Sequence, residues 1–228
     1  MQISDIDIRG KVFQSQLLLE KSGIEHFSSM KETQRADEGI WLPKQVHGVH
    51  IHLLQSGETV PPTLSVEADA VLCNIPGQWI GIRTADCVPI LLYDAQHQVV
   101  AAIHAGWRGT VKHIVQETIR RMQSDFGSQA SDLWAMIGPS ISPTAYEVGP
   151  EVAEEFKAAG RAACIVGGYT RPHLDLRQCN VMDLLEEGVE LDKIDCSPLC
   201  TFEQELLFSA RREGIETGRN VTAIRLKG

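Results

Sequence analysis

The stretch QVVAAIHAGWRGTVKHIVQETIRRMQSDFG, residues 98–127, changes its hydrophobic period part-way along. From Val99 to Ala105 it is a near-continuous apolar run, the pattern of a strand covered on both faces. After Gly109, the residues Val111, Ile114, Val115, Ile119 and Met122 recur at helical spacing with charges between them, which predicts an amphipathic helix ended by Gly127. A histidine, a tryptophan and an arginine fall on the glycine-bounded hinge. The stretch therefore reads as strand, turn and helix, with its costly side chains at a strand end, where ligand sites form in layered sheets.

The same pattern extends outward. Upstream, DAVLCNI, WIGIRT and VPILLYD are short apolar runs separated by turn residues, and VHGVHIHLLQ alternates as a strand with one buried face, which puts His50 and His52 together. Downstream, LWAMIGPSI predicts another buried strand. GPEVAEEFKAAG and DLRQCNVMDLLEEGV predict helices, the first with proline in its opening turn and acids near its positive end. The tail segments LLFSARREG and NVTAIRLKG predict strands around a turn. Interspersed strands and helices make an α+β (α/β layered) fold. With 228 residues, 43% of them hydrophobic, residues 1–228 are expected to form a single domain, since one core serves chains up to roughly 250 residues. The Pro-Pro pair in SGETVPPTLS predicts an exposed loop rather than a boundary.

A net charge of −9 argues against nonspecific binding to nucleic acid or to an anionic membrane, because counterion release needs a basic face. Any anionic substrate has to be met by locally placed arginines. No apolar run approaches the roughly 20 residues that span a bilayer, and the first residues lack the basic-then-apolar order of a signal peptide, so a cytoplasmic location is expected. In that compartment the six cysteines are read as reduced thiols or ligands, with Cys73, Cys164 and Cys179 as core or surface thiols. Cys196 and Cys200 have a Cys-x-x-x-Cys spacing but no second pair, which favours a structural role.

Three residues near predicted strand ends carry metal-binding chemistry: His47 in KQVHG, Cys87 in RTADC and His104 in IHAGW. Two imidazoles and a thiolate suit zinc, and three protein ligands leave a fourth position open for catalysis. Their distance apart in sequence also allows a plainer reading as half-buried histidines and a core thiol. Gly48, Gly106 and Gly109 favour close backbone approach at both histidines. Around them, Arg108 either anchors a phosphate or pairs at the surface. Asp86 either orients a metal-bound histidine or turns the chain. Arg83 faces a pocket or snorkels. Tyr146 and Trp107 stack a purine or pack in the core. Arg211, Arg212 and Arg219 offer further anion contacts or form an exposed basic turn.

The ordered series KQVHG, TADCVPILLYD, AAIHAGWRGT, IGPSISPTAYEVG, DLRQCN and LFSARREGIETGR resembles the YfiH-like laccase-domain family, from about Trp41 to near the C-terminus. The resemblance implies a YfiH-like fold of two packed mixed β-sheets flanked by helices. It implies a zinc ion, with copper as the alternative metal, on His47, Cys87 and His104, and catalytic roles for Cys87, His104 and Asp86. It also implies substrate contacts from Arg108, Arg83 and Tyr146. The implied activity is phosphorolysis of adenosine, inosine, guanosine and S-methyl-5′-thioadenosine to base and sugar phosphate, together with hydrolytic deamination of adenosine. Zinc suits the deamination, because bound water ionises near neutral pH. The implied partners are purine nucleosides and phosphate, with the chain a monomer or homodimer. Two departures bear on substrate contacts: Met30 stands where the family often has arginine, and no cysteine precedes Tyr146.

Other functions use the same residues. A cysteine hydrolase would take Cys87 as nucleophile and His104 as base. Copper-dependent phenol oxidation needs several His-x-His pairs, and the sequence holds only His50-Ile51-His52. A metal-stabilised interaction protein would require a fourth protein ligand.

Overall fold

Two fully buried strands organise the molecule in the computed structural model, which describes residues 12–33 and 37–228. Strands β7 (Val88–Asp94) and β8 (Val99–Ala105) pair antiparallel, with the Asp94 carboxylate accepting from the N–H groups of Gln96 and His97 to close the turn. They lie inside a six-stranded sheet ordered β12 (Ile194–Cys196), β9 (Trp134–Ile137), β7, β8, β5 (Ala70–Cys73), β4 (Ile51–Leu54). A second sheet is ordered β1 (Val12–Phe13), β2 (Ile24–Ser29), β13 (Asn220–Leu226), β6 (Trp79–Thr84), β3 (Ile40–Trp41). Both are mixed: β12–β9, β4–β5 and β3–β6 are parallel pairs, the others antiparallel. A small ribbon joins β10 (Ile165–Val166) to β11 (His173–Leu174).

The period of two explains the layering. Ile90, Leu92, Ala101 and Ile103 face the helices, whereas Leu91, Tyr93, Val100 and Ala102 face Ile80, Ile82 and Ile224 of the second sheet. Truncating Leu91, fully buried between the sheets, to alanine is expected to cost about 2–5 kcal/mol. On the outer face lie α3 (Ile114–Phe126), α4 (Pro150–Ala158) and α5 (Leu176–Glu186), which contribute Ile119, Phe156 and Leu184 to the same core. The short α1 (Gln16–Leu19) packs on β2 and β9. Among the described residues no helix is long and apolar enough to cross a membrane. Residues 1–11, part of the stretch read for a signal peptide, lie outside the described residues.

Four expectations need correction. The helix expected after Gly109 is two helices, because His113 adopts a left-handed backbone (φ 57°) between α2 (Trp107–Val111) and α3. The imidazole Nδ1 of His113 there lies 3.1 Å from Asp183 of α5, a tertiary partner invisible to periodicity. Gly127 does end α3 in the left-handed conformation. LLFSARREG forms no strand: Ser209 caps a short helix, α6 (Ala210–Glu213), accepting from the Arg212 N–H. In VHGVHIHLLQ only Ile51–Leu54 is strand, and residues 46–50 form a loop folded over a buried carboxylate. Finally, Cys164 and Cys179, expected as free thiols, form a disulfide between the segment entering β10 and α5. Their Cα atoms come within 5.7 Å only once α5 docks.

Candidate metal centre and cleft

Register places the centre. Ala70 pairs with Ile103 and Pro89 with His104, so the residues just before β5 and β7 and the penultimate residue of β8 share one end of the six-stranded sheet. Asp69, Cys87 and His104 occupy these three positions. Cys87 ends the Ala85-Asp86-Cys87 link that carries the chain from β6 in one sheet to β7 in the other. His47 comes from the 46–50 loop with φ 60°. The ligand atoms of His47, Cys87 and His104 all lie within 4.8 Å of one another, and among the described residues this is the one such group of three. Tetrahedral zinc, at about 2.0–2.3 Å from each donor, would draw them to about 3.5 Å apart.

The electrostatics suit a cation. Burial alone would push the Cys87 thiol up, but the adjacent His104 and His47 rings outweigh it and bring the pKa down to about 6. Burial would likewise lower His104, yet the Cys87 sulfur and the Asp69 carboxylate raise it to about 9. Metal binding takes the thiolate and neutral imidazoles. His104 Nδ1 lies 2.8 Å from Asp69 Oδ1, which leaves Nε2 as the ligand atom. Gly106 is required for close approach: a Cβ there would lie 3.1 Å from both Cys87 Sγ and His47 Cδ2.

Asp69 is the residue that sequence reading missed. Fully buried, it also accepts from the N–H groups of His47 (2.9 Å), Gly48 (2.6 Å) and Val46 (3.3 Å), so one carboxylate orients one ligand and folds the loop bearing another. Burial would raise its own pKa, but the His104 ring and the Gly48 and His47 N–H groups hold it below the usual carboxylate range. The signal in sequence was slight: an acid placed directly before an apolar strand, which is also an ordinary turn residue.

The three ligands face a cleft of about 820 Å³. Arg83, Trp107, Tyr146, Arg211 and Arg219 line it, Trp107 and Tyr146 while also packing against the core. Burial pushes the Tyr146 hydroxyl pKa up and keeps it protonated. Among the described residues none of these three arginines pairs with a carboxylate side chain. Arg211 donates to the Glu147 carbonyl, and Arg219 to the carbonyls of Thr217, Gly218 and Ile215. Arg108 is exposed, with its guanidinium 4.3 Å over the ring of Trp107, and is not itself among the residues that line the cleft. Arg212 instead donates to backbone carbonyls of Thr201, Phe202 and Leu207. Asp86 lines the cleft but bonds Thr201 and Arg211, and Asp69 takes the histidine-orienting place assigned to it.

A family model described as "Multi-copper polyphenol oxidoreductase laccase" matches residues 23–227. The chain belongs to this laccase-domain family. A relative named "Purine nucleoside phosphorylase" from Bacteroides thetaiotaomicron is 43% identical over 86% of this chain and 76% of its own length. "Adenosine deaminase RL5", from an unknown prokaryotic organism, is 37% identical over 80% of this chain and 73% of its own. A Clostridium acetobutylicum relative, 40% identical, is matched over 65% of its length. Crystal structures of Bacillus licheniformis YfiH (TM-score 0.85, 22% identical, 97% and 99% of the two chains) and Geobacillus stearothermophilus YlmD (TM-score 0.84, 23% identical, both chains in full) share the fold. In this laccase-domain chain Met30, a departure from the family's motif, is buried in the core between the sheets and provides packing. Cys196 and Cys200 are buried, and the Cys200 sulfur accepts from the Ser142 N–H. His52, of the His50-Ile51-His52 pair, stacks on Trp41.

Proposed function

We propose that this chain is a zinc-dependent purine nucleoside phosphorylase acting on adenosine, inosine, guanosine and S-methyl-5′-thioadenosine, with adenosine deamination as a second activity. One observation carries the reading: a two-histidine, one-thiolate group faces a cleft that also holds two aromatic side chains and three arginines whose guanidinium groups, among the described residues, pair with no carboxylate, in a chain of net charge −9. The names of the relatives agree with it.

His47, Cys87 and His104 would hold the ion, which when bound supplies Lewis acidity and acidifies water. With only three protein ligands, the site would leave room for water or substrate. Arg211 and Arg83 bind phosphate by charge-assisted hydrogen bonds. Trp107 and Tyr146 offer ring faces to the purine, and the protonated Tyr146 hydroxyl donates a hydrogen bond. In phosphorolysis a phosphate oxygen forms a bond to C1′ as the C1′–N9 bond breaks. Its electron pair goes to the base, which takes up a proton. Deamination exchanges the 6-amino group for a water oxygen and releases ammonia.

The test is to incubate adenosine with and without phosphate, before and after chelation and zinc reloading, and to quantify adenine and inosine. Adenine release should require phosphate, and both products should vanish on metal removal and return on reloading. Full activity after complete metal removal would refute the reading. The Cys87–His104 pair, with its acidic thiol, also favours a second reading as a cysteine hydrolase. Alkylation separates the two, because zinc should shield a ligand thiol from iodoacetamide whereas a nucleophile should react with or without metal.

A further inference from the structure

Asp86 stands at φ 94°, a region few residues other than glycine enter, in the link between β6 and β7. Three segments remote in sequence converge on it. Its Oδ1 accepts from the Thr201 hydroxyl at 2.6 Å, its Oδ2 from the Arg211 N–H at 2.7 Å, and its backbone carbonyl from the Ile141 N–H at 3.0 Å. The residue is buried, and none of these bonds goes to a histidine. Backbone strain of this kind persists only where the surroundings over-determine it, and it clusters at functional sites.

Two of the segments held this way, the one that carries Arg211 and the one that runs from Ile141, meet at the cleft. Arg211 is the second residue of α6, and its guanidinium lies 5.3 Å from the centre of the Tyr146 ring while donating to the Glu147 carbonyl at 2.9 Å. Ile141 opens the segment that runs to Tyr146. A four-residue helix has almost no intrinsic stability, so the position of α6 depends on outside anchors. It has two at its start, the Ser209 cap and Asp86.

We propose that Asp86 is a positioning residue for anion binding: joined to Thr201, it fixes the start of α6 so that the Arg211 guanidinium is held against Tyr146 over the cleft. This rests on the reading that the cleft takes inorganic phosphate. The chemistry distinguishes positioning from a charge or proton-transfer role. In Asp86→Asn the amide oxygen still accepts from the Arg211 N–H, and the amide NH₂ donates to the Thr201 hydroxyl, which accepts as readily as it donates. Asp86→Ala keeps neither bond.

The experiment compares zinc-loaded wild type, Asp86→Ala, Asp86→Asn and Thr201→Val by zinc content, amide hydrogen exchange of peptides covering residues 209–214, and kcat and KM for inorganic phosphate. Asp86→Ala should keep its zinc, exchange α6 amides about tenfold faster and raise the phosphate KM about tenfold with kcat nearly unchanged, the effect of losing one anchoring hydrogen bond of this kind. Thr201→Val should shift the same quantities less, and Asp86→Asn should stay close to wild type. An asparagine variant as impaired as the alanine variant, loss of zinc from Asp86→Ala, or unchanged α6 exchange would each overturn the proposal. If the wild type shows no phosphorolysis at all, the proposed function fails. Asp86 is then judged by α6 exchange together with calorimetric binding of inorganic phosphate, where equal affinity in wild type and Asp86→Ala counts against it.

Discussion

Replacing Asp69 with asparagine is the sharpest test of how the centre is held together. Oδ1 of this buried carboxylate faces His104 Nδ1 and the His47 N–H, and Oδ2 faces the N–H groups of Gly48 and Val46, so both oxygens meet donors alone. An asparagine amide turned either way sets its NH₂ against two donors. Hydrogen bonds to a charged acceptor contribute about 1.5–3 kcal/mol each, and one of the two partners on the affected side is the fully enclosed His104 ring or the close Gly48 amide. The expected loss is about 2–4 kcal/mol, shared between folding and ligand orientation. For a chain of this size about 2 kcal/mol corresponds to a fall of about 4–8 °C in the Tm of the apo-protein. The ligand share should weaken zinc binding by about 10–100-fold, as is usual when a residue behind a ligating histidine is changed. Thermal melts of apo-protein and competition against a chromophoric zinc chelator give the two shares separately. Zinc affinity within about twofold of wild type, together with an unchanged apo Tm, would show that Asp69 does not organise this centre.

Three further outcomes follow from the same geometry. Gly106→Ala puts a methyl group 3.1 Å from both Cys87 Sγ and His47 Cδ2 at a backbone conformation alanine accepts, so it should lower zinc affinity at least tenfold and leave the circular dichroism spectrum unchanged. His26 is buried, and burial depresses its pKa from 6.5 to about 4, while its Nε2 accepts from the Ser15 N–H. The folded state therefore resists a proton that the unfolded chain takes up, and this share of stability is present above pH 6.5 and lost as pH falls towards 4. The loss should be about 3 kcal/mol in urea titrations, and a His26→Gln variant whose stability falls just as steeply over that window would refute the assignment. Reducing the Cys164–Cys179 disulfide, which spans 15 residues, should cost about 3 kcal/mol on the loop-entropy model, and Cys179→Ser should melt as the reduced wild type does with or without reductant.

Hydrophobic period made the central strands and most helices legible, because burial of alternate or every third and fourth side chain is a local property of the chain. Val99–Ala105, Val88–Asp94 and Pro150–Ala158 needed no knowledge of neighbours. The break at His113 and the helix at Ala210–Glu213 were not legible in this way, since each depends on a partner from another segment: Asp183 in one case, Asp86 in the other. The candidate ligands could be picked out as residue types at strand ends, and the family motifs drew them together by resemblance.

What the sequence by itself determined is thus the apolar pattern of the two layers, the residue types able to bind a metal, and a net charge of −9. Sheet register and the packing of one sheet on the other decided the rest. They brought His47, Cys87 and His104 within 4.8 Å, set Asp69 behind them, placed Arg211 in the cleft lining and Arg108 over the Trp107 ring, and paired Cys164 with Cys179. The physical reason is range: periodicity reports which face of an element is buried, whereas a site requires the relative placement of elements far apart along the chain, which is fixed only when they pack.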